Sequence, residues 1–264
     1  LFRNYGTIIP QWKGHGKMKS LEGKTAVVTG GSRGIGAAIA QRLAADGAAV
    51  AISYVRDAGA AERVTEAIAR AGGRALAVQA DVADHDQVKA LFDRVKAEFG
   101  GLDILVANAA VAEFAPIDQI TTEQIDRQFS VNVRGVLLTI KEASANMNEG
   151  GRIIAVSSIV GSTPMAGASV YSATKAAVDT AIGAIAQELG PRGITVNAVA
   201  PGPVETDMYY NSGFDKNAEY LASRTPLGRV GKPEDIAGAV ALLTSESGAW
   251  ITGQVLTAAG GFRP

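Results

Sequence analysis

The chain contains no cysteine and only two histidines, His15 and His85, among 264 residues. Disulfides, thiolate nucleophiles, cysteine-rich zinc sites and most histidine-based triads are thereby excluded. An excess of one charge is missing too: 25 Lys and Arg stand against 26 Asp and Glu, a formal net charge of −1. A nucleic acid, whose phosphates demand a cationic surplus, is an unsuitable partner. No run approaches the roughly 18 apolar residues that span a bilayer, and the first turns of the sequence lack the apolar stretch of a signal peptide. The sequence therefore reads as a cytoplasmic chain with no membrane partner and no metal site. A hydrolase is equally disfavoured: His85, within Asp84-His85-Asp86, reads as a surface residue of a first helical turn. The remaining chemistry belongs to hydroxyls, amines, amides, carboxylates or a bound cofactor.

From Lys24 onward, short β-branched runs alternate with Ala-rich helical stretches, the pattern of repeated βαβ units and a parallel sheet. The expected strands are Thr25–Thr29, Ala48–Tyr54, Ala75–Gln79, Ile104–Ala107, Arg152–Ser157, Thr195–Ala200 and Val255–Ala258. Each is nearly continuous in apolar residues, as strands buried on both faces are. Helices are expected over Gly34–Asp46, Ala58–Ala71, Asp84–Phe99, Thr122–Leu138, Ser169–Leu189 and Pro233–Thr244. Pro233 with Glu234 and Asp235 suits a helix start, where proline costs no hydrogen bond and acids meet the positive end of the dipole. No linker or repeat divides the chain. The sequence predicts one doubly wound α/β domain over 21–264, after a segment, 1–20, that has no periodicity and reads as an N-terminal extension or cloning remnant. The longest stretch without a strand, Pro201 to Pro233, carries Tyr209, Tyr210, Phe214 and Tyr220. It follows the carboxyl end of a strand, where such folds meet substrate.

The first strand runs into Thr29-Gly30-Gly31-Ser32-Arg33-Gly34-Ile35-Gly36 and then into a helix. Glycines 30, 34 and 36 permit a tight turn and close backbone approach, and the helix start offers free N–H groups to a pyrophosphate. The Lys-Ser/Thr ending of a triphosphate loop is absent. A dinucleotide site is the reading. At the end of the second strand, Ser53-Tyr54-Val55-Arg56 holds no acid to repel a 2′-phosphate, while Arg33 and Arg56 could bind one. NADP(H) is favoured over NAD(H).

After the fifth strand come Ser157 and Ser158, then Tyr171-Ser172-Ala173-Thr174-Lys175 at a helix start. Tyr171 and Lys175, four apart, share one helix face. A lysine cation beside a phenol favours the phenolate, which makes the tyrosine a candidate acid or base.

With these motifs, from Leu21 to about Phe262, the chain resembles the short-chain dehydrogenase/reductase family. The resemblance rests on the Thr29–Gly36 turn, Asp81-Val82, Ala107-Asn108-Ala109-Ala110, Asn132, Ser158, Tyr171-x-x-x-Lys175 and Pro201-Gly202. It implies a Rossmann-type, seven-stranded parallel sheet of order 3-2-1-4-5-6-7 with helices on both faces. It also implies hydride transfer between a carbonyl and a secondary alcohol, with Tyr171 as acid or base and Ser158 bonded to the reacting oxygen. Ser158 is selected over Ser157 because the family's serine lies thirteen residues before the tyrosine. Lys175 would lower the tyrosine pKa and hold the nicotinamide ribose, and Asn132 would support a water-linked relay with it. Cofactor contacts would come from Gly30, Ser32, Arg33, Gly34, Ile35, Gly36, Tyr54, Arg56, Asp81, Val82, Asn108, Ala109, Tyr171, Lys175, Pro201, Gly202, Val204 and Thr206.

Two departures from the family pattern stand out. Ala110 replaces a glycine near the cofactor, tolerable where φ is negative, and Ala259 stands where many relatives carry an acid before Gly260-Gly261. The nearest-looking groups are the 3-oxoacyl-carrier-protein reductases and the polyhydroxynaphthalene reductase or sugar dehydrogenase type. Where carrier-protein reductases present arginines to an acidic carrier, this chain has Glu149 and Gln187, which favours a small free carbonyl or alcohol as partner. A non-catalytic NADP-binding sensor or scaffold is the rival class; it would need none of Ser158, Tyr171 and Lys175. The alanines of the Ser169–Leu189 helix, with Val255, Leu256 and Phe262 near the C-terminus, suit the two contacts of a homotetramer.

Overall fold

Seven strands hydrogen-bond into one parallel sheet in the computed structural model, which describes residues 20–263. In chain order the elements are β1 (Thr25–Val28), α1 (Gly34–Ala45), β2 (Ala49–Tyr54), α2 (Ala58–Arg70), β3 (Arg74–Gln79), α3 (His85–Phe99) and β4 (Leu102–Ala107). Then follow α4 (Thr122–Phe129), a π-helical segment (Ser130–Gly135), α5 (Val136–Asn146), β5 (Met147–Val156), α6 (Ser169–Leu189) and β6 (Thr195–Pro201). The last elements are α7 (Asp207–Asn211), α8 (Ala218–Ser223), α9 (Pro233–Thr244) and β7 (Val255–Ala258). The sheet order is β3-β2-β1-β4-β5-β6-β7, as the resemblance implies. The chain reverses direction across the sheet between β1 and β4, and the crevice at the carboxyl ends there is where doubly wound folds take a ligand.

Period-two alternation along the strands divides the core into two layers. Ala26 and Val28 pack with Ile39 of α1, Val64 of α2 and Val240 of α9. Val27, between them, faces the other layer, with Leu91 of α3, Ile140 of α5 and Ile182 of α6. Each fully buried branched side chain contributes about 2 kcal/mol, so the strand ends that carry the site rest on a rigid base. The edge strands β3 and β7 are more open than the five between them. Among the described residues no helix is long and apolar enough to cross a membrane.

Three expectations need correction. The single helix over Thr122–Leu138 is instead α4, the π segment and α5, which runs on to Asn146. A π turn adds a residue to the helical ladder and re-aims the side chains on it; Asn132 lies in that turn. The fifth strand begins at Met147 rather than Arg152: Met147 pairs with Leu102, and a register shift between Leu102 and Ile104 precedes the pairing of Arg152. β6 runs past the expected Ala200 to take in Pro201, so the strand-free stretch begins after it; that stretch contains the short helices α7 and α8. Of the segment read as an extension, 1–20, all but Ser20 lies outside the described residues, His15 included.

Candidate active site

β1 leads through Thr29 and Gly30 into α1 by a turn that only glycine can make. A Cβ on Gly36 would lie 2.4 Å from the Gly30 carbonyl oxygen and 2.5 Å from Asn108 Nδ2, and Gly34 has φ +54°. The turn is fastened from three sides. Asn108 Nδ2 donates to the carbonyls of Thr29 (2.9 Å) and Gly30 (3.1 Å). The Thr29 hydroxyl accepts from the amides of Asn108 (3.0 Å) and Ala109 (3.1 Å), and the Ser53 hydroxyl accepts from the Gly30 amide at 3.2 Å. Arg33, the residue before α1, provides no side-chain cap, and the first turn of the helix holds no acid. Its leading N–H groups and dipole are left for an anion, which fits a pyrophosphate beside half-buried Ser32 and Ile35.

Around this turn lie the other expected cofactor residues. Tyr54 ends β2 half-buried; Arg56 beyond it is exposed. The nearest acid, Asp57, is engaged as the cap of α2, accepting from the Ala60 amide at 2.8 Å. Arg33 is exposed and pairs with Asp207 at 3.3 Å. The Asp81 carboxylate accepts from the Ala83 amide at 2.9 Å, and Val82 is buried against Gly135, where a Cβ would come within 2.8 Å of it. Pro201 closes β6, Gly202 packs so tightly on Ala259 that a Cβ would sit 2.8 Å away, and Val204 bridges to Gly231. Thr206 caps α7, and its methyl group lies 3.4 Å from where a Gly34 side chain would begin. The glycine turn and the segment after β6 therefore face each other across the crevice. Ala110 keeps a negative φ, as does every non-glycine among the described residues.

At the carboxyl end of β5, Ser158 opens a short 3₁₀ turn (Ile159–Gly161), its hydroxyl accepting from the Val160 amide at 3.4 Å. Tyr171 and Lys175 stand one turn apart on α6 against it. Tyr171 is buried, and burial pushes its phenol up to about 12, against a smaller opposite pull from the Ser158 hydroxyl. Lys175 is 2% exposed, donates to the Val156 carbonyl at 2.8 Å and lies 5.6 Å from the Tyr171 ring centroid. Burial brings its ammonium down to about 8, opposed by Asp179. Burial thus carries the phenol upward, where the spacing alone suggests a lowered value. Asp179, a turn beyond Lys175, has its own carboxyl raised by burial, against pulls from Ser157 and Lys175.

Asn132 comes to the site through the π turn. Its Oδ1 accepts from the Val111 amide at 2.8 Å, and its Nδ2 donates to the Val111 carbonyl (2.8 Å) and the Thr174 hydroxyl (3.1 Å). The side chain is thus committed to the loop after β4 and to the residue preceding Lys175.

A row of aromatic rings runs away from Tyr171. Phe114 stands edge-on to Tyr171 at 5.7 Å and to Phe214 at 5.5 Å; Tyr209 follows at 6.3 Å from Phe214, then Tyr210 at 5.3 Å from Tyr209. Three of the four expected loop aromatics belong to it; Tyr220 is 62% exposed and does not. A cavity of about 540 Å³ lies alongside, lined by Ile159, Ser162, Thr225, Ala259 and Phe262, and includes none of Ser158, Tyr171 and Lys175.

Thr29, Ser53 and Phe114 are absent from the site residues expected from the sequence. For the first two the signal is a hydroxyl at the end of a strand beside a glycine turn; for Phe114 it is a lone aromatic seven residues past β4. Ser157 is buried, with Asp179 nearby.

Residues 30–263 match the family model described as enoyl-(acyl carrier protein) reductase. An uncharacterized oxidoreductase of Methylorubrum extorquens is 49% identical over 248 residues, covering 93% of this chain and 100% of that protein. A probable tetrahydroxynaphthalene reductase of Zymoseptoria tritici is 42% identical over 248 residues, covering 89% and 93%. A short-chain dehydrogenase from Burkholderia cenocepacia, solved in complex with NADP, superposes with a TM-score of 0.86 at 46% identity, covering 92% of this chain and 98% of that one.

Proposed function

The chain belongs to the short-chain dehydrogenase/reductase family, and from that premise we propose that it is an NADP(H)-dependent oxidoreductase that reduces the carbonyl of a small, ring-bearing ketone to a secondary alcohol. The observation that carries the reading is the meeting of Ser158, Tyr171 and Lys175 at the carboxyl end of β5, beside the glycine turn.

Bound NADPH would supply the hydride. The chain's own part begins with the negative charge that builds on the carbonyl oxygen: the hydroxyls of Ser158 and Tyr171 are the donors that stabilise it. A phenol raised by burial to about 12 is protonated at neutral pH, so Tyr171 can supply the proton that the carbonyl oxygen takes up. Lys175, locked to Val156, keeps a cation next to the phenolate that the transfer leaves behind. Because the Asn132 side chain is spent on Val111 and Thr174, a relay through this residue would use its main-chain carbonyl. Gly30 to Gly36 and the uncapped start of α1 would hold the pyrophosphate. Arg33, Tyr54 and Arg56, with Asp57 withdrawn into a helix cap, support NADP(H) over NAD(H).

The rings of Phe114, Phe214 and Tyr209 beside Tyr171 suit a flat, apolar substrate body, in keeping with the name of the naphthalene reductase relative. A carrier-bound substrate is less well served: Glu149 is exposed and paired with Arg192 at 2.9 Å, and Gln187 offers no charge. Assembly as a homotetramer is part of the same reading. The groove between α5 and α6, with Leu137 41% exposed, would form one contact, and Val255 on the open edge of β7, 40% exposed, the other.

The test is loss of absorbance at 340 nm with NADPH and a panel of bicyclic aromatic ketones and small aliphatic ketones. Turnover of the bicyclic members is expected. Tight NADPH binding without oxidation by any carbonyl would instead identify a sensor.

A further inference from the structure

Helix α4 buries one side chain completely, and that side chain is polar: Gln128 is 0% exposed, while Phe129 beside it is 40% exposed. A buried carboxamide is costly unless both its ends are paired. Both ends of Gln128 are spent on a single residue of the loop after β4: Oε1 accepts from the Glu113 amide and Nε2 donates to the Glu113 carbonyl, each at 3.3 Å. Asn132 treats Val111 in the same way at 2.8 Å and 2.8 Å. Two carboxamides four residues apart therefore grip two loop residues two apart. The match is geometric, since four helical residues rise about 6 Å and two extended residues about 6.6 Å. The loop is held as an added strand would be. Outside this pair of rungs, Arg127 closes on the Glu113 carboxylate through Nε at 2.6 Å.

The residue after Glu113 is Phe114, whose ring meets both Tyr171 and Phe214. We propose that Gln128 is a positioning residue that sets the substrate cleft, holding Glu113 so that Phe114 stands against Tyr171. The inference rests on the reductase reading above and adds to it the residue that fixes the cleft wall. The hydrogen bonds of Gln128 go to Glu113 and not to Tyr171 or the glycine turn, so it acts through Phe114 on substrate fit.

Two measurements test this. In the unmodified chain, amide hydrogen exchange is expected to show Val111 and Glu113 protected and Ala112 between them exchanging fast; a Glu113 amide as fast as that of Ala112 overturns the proposal and needs no variant. Kinetics then ask what the grip does. Gln128→Met keeps the volume and loses both bonds, and KM for 2-tetralone is expected to rise about tenfold, the size of one lost hydrogen bond. NADPH affinity, kcat and the pH profile should hold. Phe114→Ala should raise KM comparably, and the double variant should add little to either single, because neighbours acting through one contact are non-additive. An unchanged KM, or penalties that add in full, contradicts the proposal; a lower Tm with unchanged KM assigns Gln128 a structural role only. If the unmodified chain reduces no carbonyl, the functional reading fails, and the exchange result still decides whether Gln128 holds the loop.

Discussion

Lys175 donates to the carbonyl oxygen of Val156, the last residue of β5, at 2.8 Å, with 2% of the lysine exposed. One side chain thereby ties α6 to the strand end from which Ser158 follows, and Tyr171, one turn earlier, is set against Ser158 as a result. The tie has an electrostatic cost, because an ammonium enclosed by protein loses its water.

That cost should be visible in stability. Burial brings Lys175 from 10.5 down to about 8 in the folded chain. Between those values the unfolded chain keeps a proton that the folded chain has released, so this lysine makes stability rise with pH from about 8 to 10.5. Below 8 the full penalty applies. Lys175→Met is therefore expected to gain Tm relative to the unmodified chain at pH 7, with the difference shrinking as pH climbs to 10. The scan stops there because Tyr171, raised to about 12, pulls the other way above its unfolded value. Thermal melts at pH 7, 8, 9 and 10 measure it; a difference constant across the series contradicts the burial argument.

Cofactor choice turns on the end of β2. Ser53 is 1% exposed and bonded to the Gly30 amide, so an acid there would disturb the glycine turn itself. Tyr54, half-buried at the rim, is the better position. Tyr54→Asp is expected to shift the ratio of kcat/KM from NADPH toward NADH by at least tenfold, about 1.4 kcal/mol, by repelling a 2′-phosphate. Preference for NADH in the unmodified chain would refute the roles given to Arg33 and Arg56.

The glycine turn makes a sharper demand. A Cβ on Gly36 would meet the Gly30 carbonyl oxygen at 2.4 Å, and backbone cannot yield as a side chain tip can. Gly36→Ala is expected to cost about 1–3 kcal/mol of stability and to abolish NADPH binding measured by fluorescence. Binding at unmodified strength would show that the turn is not the pyrophosphate cradle.

Most of this architecture is legible in the sequence. Val-rich runs such as Ala26-Val27-Val28 admit few structures other than strands covered on both faces, and Gly30, Gly34 and Gly36 mark a turn that other residues cannot make. The break at Ser130–Gly135 is not legible, because Val133, Val136, Leu137 and Ile140 keep a helical spacing straight through it. What selects the π turn is tertiary: Asn132 must reach Val111 while Gln128 reaches Glu113. Thr29, Ser53 and Phe114 are hidden for the same reason. Their work is done across the fold, on backbone groups or rings distant in sequence, and composition and spacing carry no trace of such pairings. The phenol of Tyr171 shows the limit for electrostatics: its neighbour Lys175 is readable from spacing, but the burial that raises the phenol is not.

The homotetramer proposed above would draw on apolar surface left open. Leu137 and Phe129 on one side, and Val255 with Trp250 on the other, are 41%, 40%, 40% and 99% exposed. Light scattering at micromolar concentration is expected to give a mass near four chains. A mass near two chains would retain one contact only, and a stable single chain would reject both.

Tyr171→Phe tests the central claim most directly. The ring and its packing against Phe114 remain, while the proton donor is removed. With NADPH and 2-tetralone, kcat is expected to fall by on the order of 10²–10⁴ while NADPH binding stays within about twofold of the unmodified chain, a change below 0.5 kcal/mol. Turnover at the unmodified rate in that variant would contradict the account.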